Sequence, residues 1–164
     1  MSTVRLWRLC RAELAAKTFT GEGPYLYGGR WSPPGCRLVY CAESRSLAAM
    51  EVLVHHVGTE IFRLTRWVAI PADVPEILIE KPARVPEAWR GQSPVAEVQR
   101  FGADWTRERR SAVLRVPSAV VLGEFNYLLN PAHFDFRRVK IGPAEAFVFD
   151  PRLGARREVA SSSA

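Results

Sequence analysis

Between Gly28 and Leu53 stand an arginine after two glycines, Arg30, a tyrosine in a short apolar run, Tyr40, and one carboxylate inside an apolar helical pattern, Glu51. A planar cation, an aromatic ring and a buried acid are the parts with which a protein holds a dinucleotide and breaks its glycosidic bond. Arg30 can grip a phosphate through two parallel hydrogen bonds. Tyr40 can stack on a base or a nicotinamide ring. Each residue also has a plainer reading. Arg30 fits an ordinary surface turn, Tyr40 a core tyrosine with a satisfied hydroxyl, and Glu51 a helix-end acid that reaches water.

The element that positions Glu51 is a helix expected over residues 46–57, with Ser44 or Ser46 able to cap its start. At about 100° per residue, Glu51 shares a side with Leu47 and Val54. Ala49, Leu53 and His56 occupy the other side, so no charged solvent face is visible and the helix is expected to be buried. A buried carboxylate must pair, raise its pKa or line a cleft. The tandem His55-His56 lies late on the same helix, and the 100° step lets at most one of them face a site.

The chain has 164 residues, enough for one domain with a good core, and 48% hydrophobic residues, which excludes general disorder. No run is long and apolar enough to span a membrane, and the N-terminus lacks an apolar signal core. A cytoplasmic protein without membrane contact is the expectation. Cys10, Cys36 and Cys41 are odd in number and irregularly spaced, which argues against a disulfide framework. They share no zinc-like spacing with His55, His56 or His133, so no metal is expected. The net charge of +6 comes mostly from 20 arginines, against 3 lysines. These are scattered, with one tight cluster at Arg107, Arg109 and Arg110. No nucleic-acid-binding motif accompanies them, so direct nucleic-acid binding is not expected. An anionic small molecule or an acidic protein partner suits the charge as well.

Patterning along the chain predicts strands over Val4–Leu9, Leu38–Ala42, Phe62–Ile70, Ile77–Ile79, Val113–Ser118, Ala119–Leu122, Phe134–Phe136 and Ala146–Phe149. An amphipathic helix is predicted over Val95–Arg109, and a Pro-rich loop with a helical turn over 82–94. Strands outnumber helices without regular alternation, so the class is α+β.

These motifs taken together resemble the RES-domain family, the toxin half of bacterial RES–Xre toxin–antitoxin pairs. The family is named for an arginine, a glutamate and a serine. Arg30 lies in Gly-Gly-Arg-Trp, Glu51 in Ala-Ala-Met-Glu-Val-Leu-Val-His, and Ser118 in Val-Pro-Ser. Tyr40 matches the family's tyrosine between Arg and Glu, and Asn126-Tyr127-Leu128-Leu129-Asn130-Pro131 follows. The opening Leu6-Trp7-Arg8-Leu9 also looks like the family's start. Ser32 follows Trp31 where the family often has Asn.

The resemblance implies an ADP-ribosyltransferase-like split β-core with flanking helices. Residues 1–150 would form an NAD-cleaving domain, and the tail 151–164 is expected to fray. It implies NAD+ as consumed substrate, no resident cofactor, and hydrolysis or phosphorolysis of the nicotinamide–ribose bond. Glu51 would stabilise the oxocarbenium-like charge and Arg30 would grip pyrophosphate. Tyr40 would orient the nicotinamide ring, and Ser118 would bond substrate or fix Glu51. Trp31 and Asn126 would also bind substrate. The implied partner is an Xre-type antitoxin, and a homo-oligomer is compatible with the sequence. Two alternatives stand beside this reading. One is a mono-ADP-ribosyltransferase with a macromolecular acceptor. The other is a non-enzymatic basic binding module, favoured if the arginines form one stripe and Glu51 is solvent-exposed.

Overall fold

The alternating N-terminal stretch forms β1 (Thr3–Arg11), which pairs antiparallel along its whole length with β3 (Trp67–Pro75). The computed structural model describes residues 2–56 and 60–153. Beside this pair lie β2 (Val39–Ala42), β4 (Ile79–Glu80), β5 (Val113–Pro117), β6 (Phe125–Leu129), β7 (Lys140–Ile141) and β8 (Glu145–Phe147). They form one sheet in the order β4-β5-β6-β2-β1-β3-β7, with β8 also pairing β3. All neighbours run antiparallel except β4 and β5. The helices are α1 (Glu22–Tyr27), α2 (Arg45–Val54), α3 (Glu60–Leu64) and α4 (Ala96–Glu108). The α+β class and the split core expected from the sequence are both present.

The split is visible in the hydrogen bonding. β1 and β2 share one register pair, Trp7 opposite Ala42, whereas β2 pairs with β6 over four positions. Beyond that pair the two strands separate. The Arg8 side chain reaches across the seam, where Nη1 donates to the Tyr40 carbonyl at 2.9 Å and Nε to Thr18 Oγ1 at 3.0 Å.

Strand alternation divides the core between the two sheet faces. One face carries Leu6, Val39, Cys41, Ala72, Val74, Val113 and Leu129 in a single cluster. The other carries two clusters, each under a helix. α2 buries Leu47, Ala48 and Ala49 against Leu9, Trp67, Ala69 and Phe149. α4 buries Val98 and Trp105 among Trp31, Leu38, Leu114, Val116 and Leu128. Two helices over two halves of a split sheet leave a gap between them.

Four expectations change. The stretch Phe62–Ile70 is not one strand: α3 takes Phe62, and β3 begins at Trp67 and runs through Pro71. Pro71 is tolerated because its carbonyl accepts from the Gly142 N–H at 2.8 Å, so its missing N–H faces the same outer side, between β8 and β7. Ile77 and Leu78 sit in a 3₁₀ turn ahead of β4. Residues 119–122 form a bend, because Ser118 Oγ accepts from the N–H groups of Val120 and Val121. Phe134–Arg138 is a 3₁₀ turn capped by His133 Nδ1, which accepts from the Asp135 N–H. The last residues of the tail, 154–164, lie outside the described residues, as does Val57 of the expected Glu51 helix.

Candidate active site

α2 places Glu51. Ser44 caps the helix by accepting the Leu47 N–H at 3.0 Å, and the regular backbone ends at Val54. The helix is not buried all round: Met50 is 43% and Val54 59% exposed. Its buried side faces the sheet, and Glu51 sits half-buried at the margin, on the wall of a cleft of about 510 Å³. Two donors hold the carboxylate, both on Oε1. Ser118 Oγ donates at 2.8 Å and Asn126 Nδ2 at 2.5 Å. Two of the options open for the carboxylate, partnering and cleft lining, are therefore met together.

The cleft runs over the seam between β1 and β2. Its walls include Trp7, Arg8, Tyr40, Ala42, Glu51 and Asn126, with Gly28, Gly29 and Arg30 at the other end. Arg30 projects from a turn closed by Gly29 N–H donating to the Ser32 carbonyl at 2.8 Å. Arg30 Nη1 donates to the carbonyls of Trp89 and Gly91 at 2.9 and 2.7 Å. Among the described residues Nε and Nη2 have no protein partner. The guanidinium is thus fixed on one side and open on the other.

Tyr40 locks the same turn. Its hydroxyl accepts from the Trp31 N–H at 3.1 Å and lies 2.9 Å from Ser32 Oγ. Burial pushes its phenol up to about 12, with the Ser32 and Trp31 hydrogen bonds opposing the shift. The group is a neutral anchor at working pH and not a base. A side chain at Gly29 would put a Cβ 2.6 Å from that hydroxyl, so the glycine is required by contact. Ser32, buried completely, supplies the polar atom that the phenol needs.

The structure brings Arg30, Tyr40, Glu51 and Asn126 to one cleft, with Ser118 behind Glu51. Ser118 is fully buried and holds three partners, so it braces Glu51. Trp31 borders the cleft, but its indole is 2% exposed and packs on Phe101, at 6.0 Å between ring centroids. Its contribution is to carry the Arg30 turn. His55 and His56 both border the cleft, and the His56 ring packs edge-on against Phe62 and Trp67. α2 ends at Val54 with His55 as its C-cap, and His56 Nδ1 lies 2.8 Å from the Val52 carbonyl. Arg8 is a cleft residue that sequence reasoning missed. Patterning marks it only as a polar position in an alternating strand, and its place depends on the seam. Among the described residues no cluster of His, Cys, Asp and Glu is arranged to hold a metal, and no helix is long and apolar enough to cross a membrane.

Residues 5–150 match the RES domain. The chain is 33% identical to the Prs ADP-ribosylating toxin of Sphingobium sp. (strain YBL2), covering 92% of this chain and 97% of that one. It is 35% identical to the toxin Res of Yersinia enterocolitica, covering 90% and 98%, and 38% identical to the toxin Res of Photorhabdus laumondii, covering 81% and 85%. A chain of the M. tuberculosis MbcT–MbcA toxin–antitoxin complex has the same fold, with TM-score 0.70 at 17% identity over 93% of this chain and 87% of that one. With the family's domain matched over residues 5–150 and relatives at 33–38% identity covered to 85% or more of their length, the chain belongs to the RES-domain toxin family.

Proposed function

We propose that this protein is a toxin that consumes NAD+ by cleaving the nicotinamide–ribose bond. The observation that carries the reading is Glu51, held on one oxygen by Ser118 and Asn126, in the cleft that also holds the open side of Arg30. Water as acceptor gives nicotinamide, ADP-ribose and a proton. Phosphate gives nicotinamide and ADP-ribose 1-phosphate. As nicotinamide leaves, the ribose carbon becomes oxocarbenium-like, and a fixed carboxylate lowers the energy of that charge. Arg30, and Arg8 across the seam, suit the pyrophosphate. The Tyr40 ring orients the nicotinamide, while Ser118 supports Glu51. No resident cofactor takes part.

The basic-module alternative is disfavoured. Glu51 is half-buried, and Arg5, Arg45, Arg107, Arg110 and Arg152 are spread over separate acidic partners. Transfer of ADP-ribose to a macromolecule stays as the second reading, favoured by the name of the Sphingobium relative. We also propose an Xre-type antitoxin that covers the cleft. The net charge of +6 suits an acidic partner segment, and the structural neighbour comes from a toxin–antitoxin complex.

Incubation with NAD+, with and without phosphate or candidate proteins, should release nicotinamide with time, and the ADP-ribose product identifies the acceptor. In cells the chain should arrest growth, and co-expressed antitoxin should restore it. A folded, partner-free protein that leaves NAD+ intact over hours at micromolar concentration would refute the reading.

Arg30→Lys should raise KM for NAD+ by roughly tenfold or more, since one lost charged hydrogen bond is worth about 1.5–3 kcal/mol. Lysine offers a point charge and no fork to span Trp89, Gly91 and a phosphate together. Unchanged KM and turnover in the Lys variant would make Arg30 a turn residue only.

A further inference from the structure

Asn126 stands where a strand does not favour an asparagine. β6 is an interior strand, and Asn126 pairs with Ala42 of β2 on one side and Val116 of β5 on the other. Asparagine is depleted in such positions, and an inward-facing amide needs a partner. Its partner is Glu51 Oε1, at 2.5 Å from Nδ2. A carboxylate has only acceptors, so the amide must present its NH₂ group to it. Ser118 donates to the same oxygen. Among the described residues Oε2 takes no hydrogen bond. The carboxylate is therefore held by one oxygen with the other left over, at a cleft wall to which Asn126 itself belongs.

We propose that Asn126 is a positioning residue that holds Glu51 by one oxygen, leaving Oε2 for the substrate. Its amide acts through the carboxylate. This assigns it a different task from the substrate contact that the sequence suggests, and it rests on the NAD+-cleaving reading above. Two donors on one oxygen remove the carboxylate's rotational freedom. Ser118 alone would leave one bond about which the group turns.

The test uses the full chain, NAD+ as probe, and the variants Asn126→Ala and Asn126→Asp beside the wild type. Asn126→Ala should lower kcat by about 10–100-fold, the usual effect of losing a residue that orients a reactive group, with KM changed much less. Asn126→Asp places a second carboxyl against Glu51, and two carboxyls in contact retain one proton to higher pH. Activity is then reduced on the acid side of the profile and regained as pH rises. The acid limb of the pH–rate profile should move up by about one unit or more, with a melting temperature that confirms folding. A folded Ala variant within twofold of wild-type kcat would overturn the role. If the Ala variant does not fold, an Asp variant with an unmoved acid limb overturns it equally. A wild type that leaves NAD+ intact identifies the failure as that of the proposed reaction, and the role falls with it.

Discussion

Glu51→Gln should leave a protein that folds normally and hardly turns over. The substitution keeps the size of the side chain and an oxygen that can accept from Ser118 Oγ and Asn126 Nδ2. What changes is the charge, and with it the atom left over: an NH₂ donor takes the place of an acceptor oxygen. A group that stabilises charge developing in the transition state affects turnover more than ground-state binding. Fixed electrostatic groups of this kind contribute about 10²–10³-fold, or ~2.7–4 kcal/mol. kcat should fall by that factor while KM for NAD+ changes little. Half-burying a charge is unfavourable, so a neutral amide with both hydrogen bonds kept should melt at the same temperature or higher. An active Gln variant that melts markedly lower would mean that Glu51 is a structural hydrogen-bonding residue. The reacting centre would then have to be sought elsewhere in the cleft.

What was legible in the sequence was what is written locally. Ser44 caps the Glu51 helix because a helix start is specified within one turn of the chain. Arg30, Tyr40, Glu51, Ser118 and Asn126 could be named because each lies in a short motif. Their mutual arrangement was not legible. The bond between Ser118 and Glu51 spans 67 positions and that between Asn126 and Glu51 spans 75. Nothing local distinguishes a serine that touches substrate from one that braces the acid. Arg8 was missed for the same reason, since a split between strands leaves no mark on either strand's pattern. Phe62 differs from the expectation because the alternation Phe62, Leu64 ahead of Trp67 fits helix and strand alike over so short a stretch, and packing against Trp67 and Phe149 decides between them. The resemblance implies that Trp31 binds substrate. Only the position of α4 shows that it is enclosed.

That enclosure makes Gly102 the position where the smallest substitution should do the most damage to the fold. Gly102 lies inside α4 and is buried. A Cβ there would sit 1.9 Å from the Trp31 carbonyl oxygen and 3.0 Å from the Trp31 carbonyl carbon. Both obstacles are backbone, so no side-chain rotation relieves them. In an open helix Gly→Ala stabilises by roughly 0.5–1 kcal/mol, because alanine loses less backbone entropy on folding. Here the sign should reverse. Either α4 or the turn must retreat by about an ångström, and overpacking of this kind costs about 1–3 kcal/mol or more. At ~2–4 °C per kcal/mol for a domain of this size, Gly102→Ala should melt roughly 5–10 °C below the wild type. The damage should reach the site as well. Gln99, on the same helix, donates through Nε2 to the Gly29 carbonyl at 3.0 Å, and Trp31 adjoins Arg30. A displaced α4 therefore moves the guanidinium that the cleft presents, and KM for NAD+ should rise even where the variant is folded. Thermal melting of Gly102→Ala decides the point: a midpoint equal to or above that of the wild type would show that helix and turn are not in the contact that fixes Arg30.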